Sequence, residues 1–101
     1  MGWATSHIEK LKQGETVKFR PRGHSMAGKV NDGQLVTVAP LVDGANIAVG
    51  DIVLCKVKGN QFLHLVKAVK PDEVLIGNNK GRTNGWASRR QVFGRLVSVE
   101  D

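Results

Sequence analysis

GDIVLCKVKGNQFLHLVKAVK, residues Gly50–Lys70, decides the fold class. Two apolar runs stand on either side of Gly59 and Asn60, a pair of residues suited to a tight hairpin turn. The first run, Asp51 to Val57, is short and rich in β-branched residues, as a strand is. The second, Gln61 to Lys70, alternates with period two. Phe62, His64, Val66 and Ala68 fall on one face, and Leu63, Leu65, Lys67 and Val69 on the other. Neither run keeps the 3.6-residue period of a helix, so the centre of the chain reads as an antiparallel hairpin.

The same reading extends outward. Towards the C-terminus, Glu73 to Ile76 pairs back across Pro71 and Asp72, and Gln91 to Val99 supplies a closing strand. Between them lies GNNKGRTNGWASRR, residues Gly77 to Arg90, which is too polar for a core and reads as a loop. Towards the N-terminus, Gln34 to Ala39 is a strand closed by Pro40, and Glu15 to Arg20, with Val17 and Phe19 facing inward, is a strand ended by Pro21. A turn follows at Arg22 to Ser25, then a helical turn at Met26 to Val30 and a break at Asn31, Asp32 and Gly33. Ser6 and Glu9 have capping-box spacing, Ile8 and Leu11 share a helical face and Gly14 supplies a stop, which predicts a short helix over about residues 5 to 13 with His7 exposed on it. Leu41 to Gly50 reads as an irregular excursion. The expectation is one mainly β domain of about six strands with a short N-terminal helix.

Composition bounds the function. A chain of 101 residues closes one hydrophobic core, and 41% hydrophobic with 24% charged residues is ordinary globular composition. Fifteen Lys and Arg against nine Asp and Glu give a net charge of +6, which attracts anions, nucleic acid among them, but the basic residues are spread rather than gathered into one arm. The lone Cys55 cannot form an internal disulfide, which suits a reducing compartment, and no apolar run reaches membrane-spanning length. A soluble, cytoplasmic protein with no membrane contact is expected. His7, His24 and His64 show no ligand-type spacing, so neither a metal nor another cofactor is expected.

Chemistry is concentrated in a few landmarks. Gly23-His24-Ser25-Met26 precedes Asn31-Asp32-Gly33 and a Val-rich strand; Val49-Gly50-Asp51-Ile52-Val53 opens the central hairpin; Phe62-Leu63-His64-Leu65-Val66 lies in its second strand; Ile76-Gly77-Asn78-Asn79 and Val92-Phe93-Gly94-Arg95 follow. In type and order these resemble the landmarks of the catalytic core shared by LexA-type self-cleaving repressors and type I signal peptidases, over about residues 19 to 99. The resemblance implies a β-clip fold, a soluble serine-peptidase-like domain without the membrane anchor or helix-turn-helix of its relatives, Ser25 as nucleophile and His64 as general base. It also implies a protein or peptide substrate. Where Ser/His members of that group carry Asp after the base, this chain offers Asn78, Asn79 and Asn84.

The residues support that pairing in their own right, since a serine hydroxyl needs a base to take its proton and imidazole does so near neutral pH. Lys67 has the wrong strand parity, and Lys70 lies roughly 20 Å further along the strand. Other readings stay open: Ser25 as a helix N-cap, His64 as a core histidine, and a non-catalytic binding module on the same fold. In the binding module His24, Met26, Asn78, Asn79, Arg82, Asn84 and Trp86 would grip a peptide, a nucleotide-like anion or nucleic acid, or the loop would be a plain structured hairpin. An exposed edge strand would allow a homodimer.

Overall fold

The computed structural model describes residues 2–23, 26–41 and 46–101. Among them, helix α1 (Thr5–Lys12) is followed by strands β1 (Val17–Phe19), β2 (Leu35–Pro40), β3 (Ile52–Val57), β4 (Asn60–Val69), β5 (Glu73–Gly77), β6 (Thr83–Ser88) and β7 (Val92–Glu100), with a 3-10 turn at Arg89–Gln91 before the last. All pair antiparallel in one sheet of order β1-β2-β7-β3-β4-β5-β6. The domain is mainly β, as its alternating apolar runs dictate.

The described residues hold seven strands rather than six. The additional one, β6, lies inside the polar stretch read as a loop, where Leu75 pairs with Trp86 and Val74 with Ala87. Ala87 alone of its residues is buried, and Gly85 takes a φ of +131°, so neither apolar alternation nor propensity marks it. Ladder pairing with β5 makes the strand.

The central hairpin forms where expected, with Val57 opposite Asn60 and the left-handed Lys58 (φ 51°) and Gly59 (φ 83°) at its tip. Two left-handed residues match the right-handed twist of the flanking strands. Alternation along β3 then divides the core. Ile52 and Leu54 join Leu63, Leu65, Phe93, Val36, Val38 and the α1 residues Ile8 and Leu11, while Val53, Cys55 and Val57 join Val66, Val74, Ile76, Ala87 and Val92. Ala87 of β6 thus packs with β3, which is not its neighbour in the ladder, so the sheet curls and encloses an apolar layer on each face.

The start of α1 departs from the capping-box expectation. Ala4 is the N-cap and no side chain of the helix caps it; Ser6 sits exposed within the first turn. The cap comes instead from β4, where Gln61 Oε1 accepts from Ala4 N–H at 2.7 Å and Gln61 Nε2 donates to Thr5 Oγ1 at 3.0 Å. Trp3 Nε1 donates to the Gln61 carbonyl at 3.2 Å. An eight-residue helix is too short to stand alone, and Ile8 and Leu11 hold it to the sheet. His7, expected to be exposed, is half-buried with its ring stacked on Phe19 at 4.3 Å.

Candidate functional site

Beside the first turn of α1 the chain leaves a cleft of about 680 Å³. Its lining includes Trp3 and His7 from the helix region, Phe19 from β1, Arg20 to Gly23, Met26, and Phe62 and His64 from β4. His64 is 7% exposed, lies opposite Val53 in the ladder and stacks with Phe62 at 4.9 Å. That placement follows from parity, since Phe62 and His64 share one side of the strand.

His64 Nδ1 lies 2.7 Å from Asn84 Oδ1. An amide oxygen only accepts, so the ring carries its proton on Nδ1 and donates it to Asn84, which leaves the lone pair on Nε2. Burial pushes the His64 pKa below its ordinary value of 6.5, with the Asn84 bond acting in the opposite sense. At neutral pH the ring is therefore uncharged and able to take a proton at Nε2. Asn84 reaches His64 because the β5/β6 ladder shifts register between Ile76 and Gly77, opposite Gly85 and Thr83, and leaves Asn84 as the extra residue.

The chain on either side of residues 24 and 25 is held by hydrogen bonds. Asp32 Oδ1 accepts from Gly23 N–H at 2.7 Å, and Gly33 N–H donates to the Pro21 carbonyl at 3.2 Å. Past the serine, Val30 N–H donates to the Met26 carbonyl at 2.8 Å, closing the helical turn expected there. Asn79 Nδ2 reaches over from the β5/β6 connection to donate to the Ala27 carbonyl at 2.8 Å. Ser25 and His24 themselves lie outside the described residues. Their neighbours Gly23 and Met26 line the same cleft as His64.

The other candidate residues are distributed by the fold. Met26 is 5% exposed and belongs to the core beneath the cleft. Asn78 Oδ1 accepts from Lys80 N–H at 2.8 Å and Arg82 N–H at 3.0 Å, shaping the hairpin turn. Arg82 is exposed, and Trp86 is 37% exposed with Lys70 Nζ 4.2 Å above its ring. Neither Arg82 nor Trp86 lines the cleft. Trp3, His7 and Phe19 do line it but escape a motif search, and Phe62, quoted above only for its place in the His64 strand, lines it too. Trp3 and His7 are four residues apart, the spacing of one helical face, and Phe62 shares the parity of His64.

No group of three or more His, Cys, Asp or Glu among the described residues is placed to hold a metal ion. No helix among them is long and apolar enough to cross a membrane. No protein-family model matches the chain, and no curated protein matches it.

Proposed function

We propose that this chain is a serine peptidase related to the LexA and signal-peptidase cores, cutting a partner protein or an extended peptide, with Ser25 as nucleophile, His64 as base and Asn84 holding the base in its working tautomer. The observation that carries the reading is the 2.7 Å bond from His64 Nδ1 to Asn84, made by a histidine whose cleft is also lined by Gly23 and Met26, the described residues nearest Ser25 in the chain. In the proposed cycle the Ser25 oxygen attacks the substrate carbonyl as its proton passes to His64 Nε2. The tetrahedral adduct expels the amine, which takes that proton, and water then hydrolyses the acyl-serine. The buried, unpaired Cys55, its thiol pushed up to about 12 by burial, suits a cytoplasmic setting in which it stays reduced.

A fluorophosphonate probe tests this without a known substrate, because it phosphonylates an activated serine. Labelling of Ser25 in the full chain is expected, lost in Ser25→Ala and slowed roughly 10²–10⁴-fold in His64→Ala. Unlabelled Ser25, together with no cleavage of a peptide library, would exclude the enzyme. A second reading, a non-catalytic binding module for a peptide, an anionic ligand or nucleic acid, is favoured by the neutral Asn84, which does not stabilise an imidazolium as a carboxylate does. It expects ligand binding at the cleft with Ser25 unlabelled.

A further inference from the structure

The walls of the cleft carry more information than its histidine. Phe19 is the hub of an aromatic cluster, with the His7 ring stacked on it at 4.3 Å and the Trp3 ring tilted against it at 5.7 Å. Phe62, Met26 and Val30 complete an apolar lining. Burial, with Lys10 adding to it, lowers the His7 pKa from 6.5, so this wall is uncharged at neutral pH. The rim is anchored. Trp3 and the start of α1 are hydrogen-bonded to Gln61, the residue next to Phe62, so the apolar surface is built before any ligand arrives. Trp3 is nonetheless 52% exposed, which places a large aromatic face at the mouth of a cleft rather than in the core. At about 680 Å³ the space is far larger than a methyl side chain fills.

Among the described residues the charge at the cleft has one sign: Arg20 and Arg22 line it, and no described Asp or Glu does. Arg20 is held by a bond from Nη1 to the Gly33 carbonyl at 2.7 Å, while Arg22 is exposed and, among the described residues, in no ion pair. Arg95–Asp51 is the ion pair those residues show, and neither partner lines the cleft. A guanidinium in that position is matched by a carboxylate on the occupant.

We propose that the cleft selects an extended peptide segment in which a bulky apolar side chain, aromatic or large aliphatic, neighbours an acidic one. The apolar group packs against Phe19, Phe62 and Trp3, and the acid meets Arg22. The inference rests on the peptide-cleaving reading of the site and names its substrate class.

The test is a binding measurement on the full chain carrying Ser25→Ala, which cannot turn over, and Trp86→Phe, which leaves Trp3 as the sole tryptophan. Blocked pentapeptides with Phe-Glu, Ala-Glu, Phe-Lys or Ala-Lys at the centre of a Gly/Ser background are titrated while Trp3 emission is followed. The Phe-Glu peptide is expected to shift that emission and to bind about tenfold more tightly than either the Ala-Glu or the Phe-Lys peptide. Arg22→Ala should erase the Glu preference alone, and Phe19→Leu should narrow the Phe preference alone. Calorimetry on Ser25→Ala with Trp86 retained repeats the ranking should the double variant fold poorly. Equal affinities, tighter binding of the Ala or Lys peptides, or no binding up to millimolar peptide would overturn the inference. Probe labelling of Ser25 judges the peptidase reading separately, so the two can fail independently.

Discussion

Asn84→Leu isolates the contact on which the site depends. The substitution keeps the approximate volume but removes the oxygen that accepts from His64 Nδ1 at 2.7 Å, leaving an N–H donor on a residue only 7% exposed. A buried donor that loses its acceptor costs about 1–3 kcal/mol. For a domain of this size each kcal/mol lowers the melting temperature by roughly 4–8 °C, so a drop of about 5–20 °C is expected. Calorimetry gives the stability, and NMR titration gives the ring, with His7 as an internal control.

The pH dependence carries a second, signed expectation. Because burial holds the folded His64 pKa below 6.5, the unfolded chain takes up a proton first as pH falls. Stability is therefore level above about 6.5 in this respect and declines below it, until the folded ring also protonates. His7, lowered likewise, adds to the same decline. Asn84→Asp replaces the amide oxygen with a carboxylate, favours the imidazolium and should shrink the acid-side loss. If Asn84→Leu melts like the parent and Asn84→Asp leaves the His64 titration where it was, the bond neither holds the ring nor fixes its tautomer.

Other consequences are simpler to check. A Cβ at Gly94 would lie 2.6 Å from Val38 Cγ1 and 2.8 Å from the Ala39 carbonyl, so Gly94→Ala should cost about 1–3 kcal/mol in a denaturant titration. Thr37 Oγ1 is buried and has no hydrogen-bond partner among the described residues, and the near-isosteric Thr37→Val should raise stability by about 1 kcal/mol; a loss would mean that the hydroxyl is satisfied in solution. Cys55, fully buried with its thiol pushed up to about 12, should resist alkylation at pH 8 until the protein is denatured, and prompt modification of folded protein would contradict the packing.

Much of this architecture is legible in the chain because local rules and tertiary demand agree. Period-two apolar runs specify β3 and β4 and put Phe62 and His64 on one side, and a glycine after Lys58 supplies the left-handed turn between them. The helical turn from Met26 to Val30 and a histidine on a later strand could also be read from the order of residues, as could the short α1 with Ile8 and Leu11 inward.

Only the tertiary structure decided the rest, since those features depend on partners far apart in sequence. β6 has no apolar pattern and exists because β5 offers it a ladder. The register shift there selects Asn84, from several asparagines, to meet His64, while Asn78 shapes a turn and Asn79 braces Ala27. α1 is capped by Gln61, some fifty-seven positions from Ala4, and that same contact sets Trp3 and His7 against Phe19 to form the wall of the cleft. Periodicity reports which side of an element faces inward; it carries no information on which distant element will stand there, and the candidate site is made of such meetings.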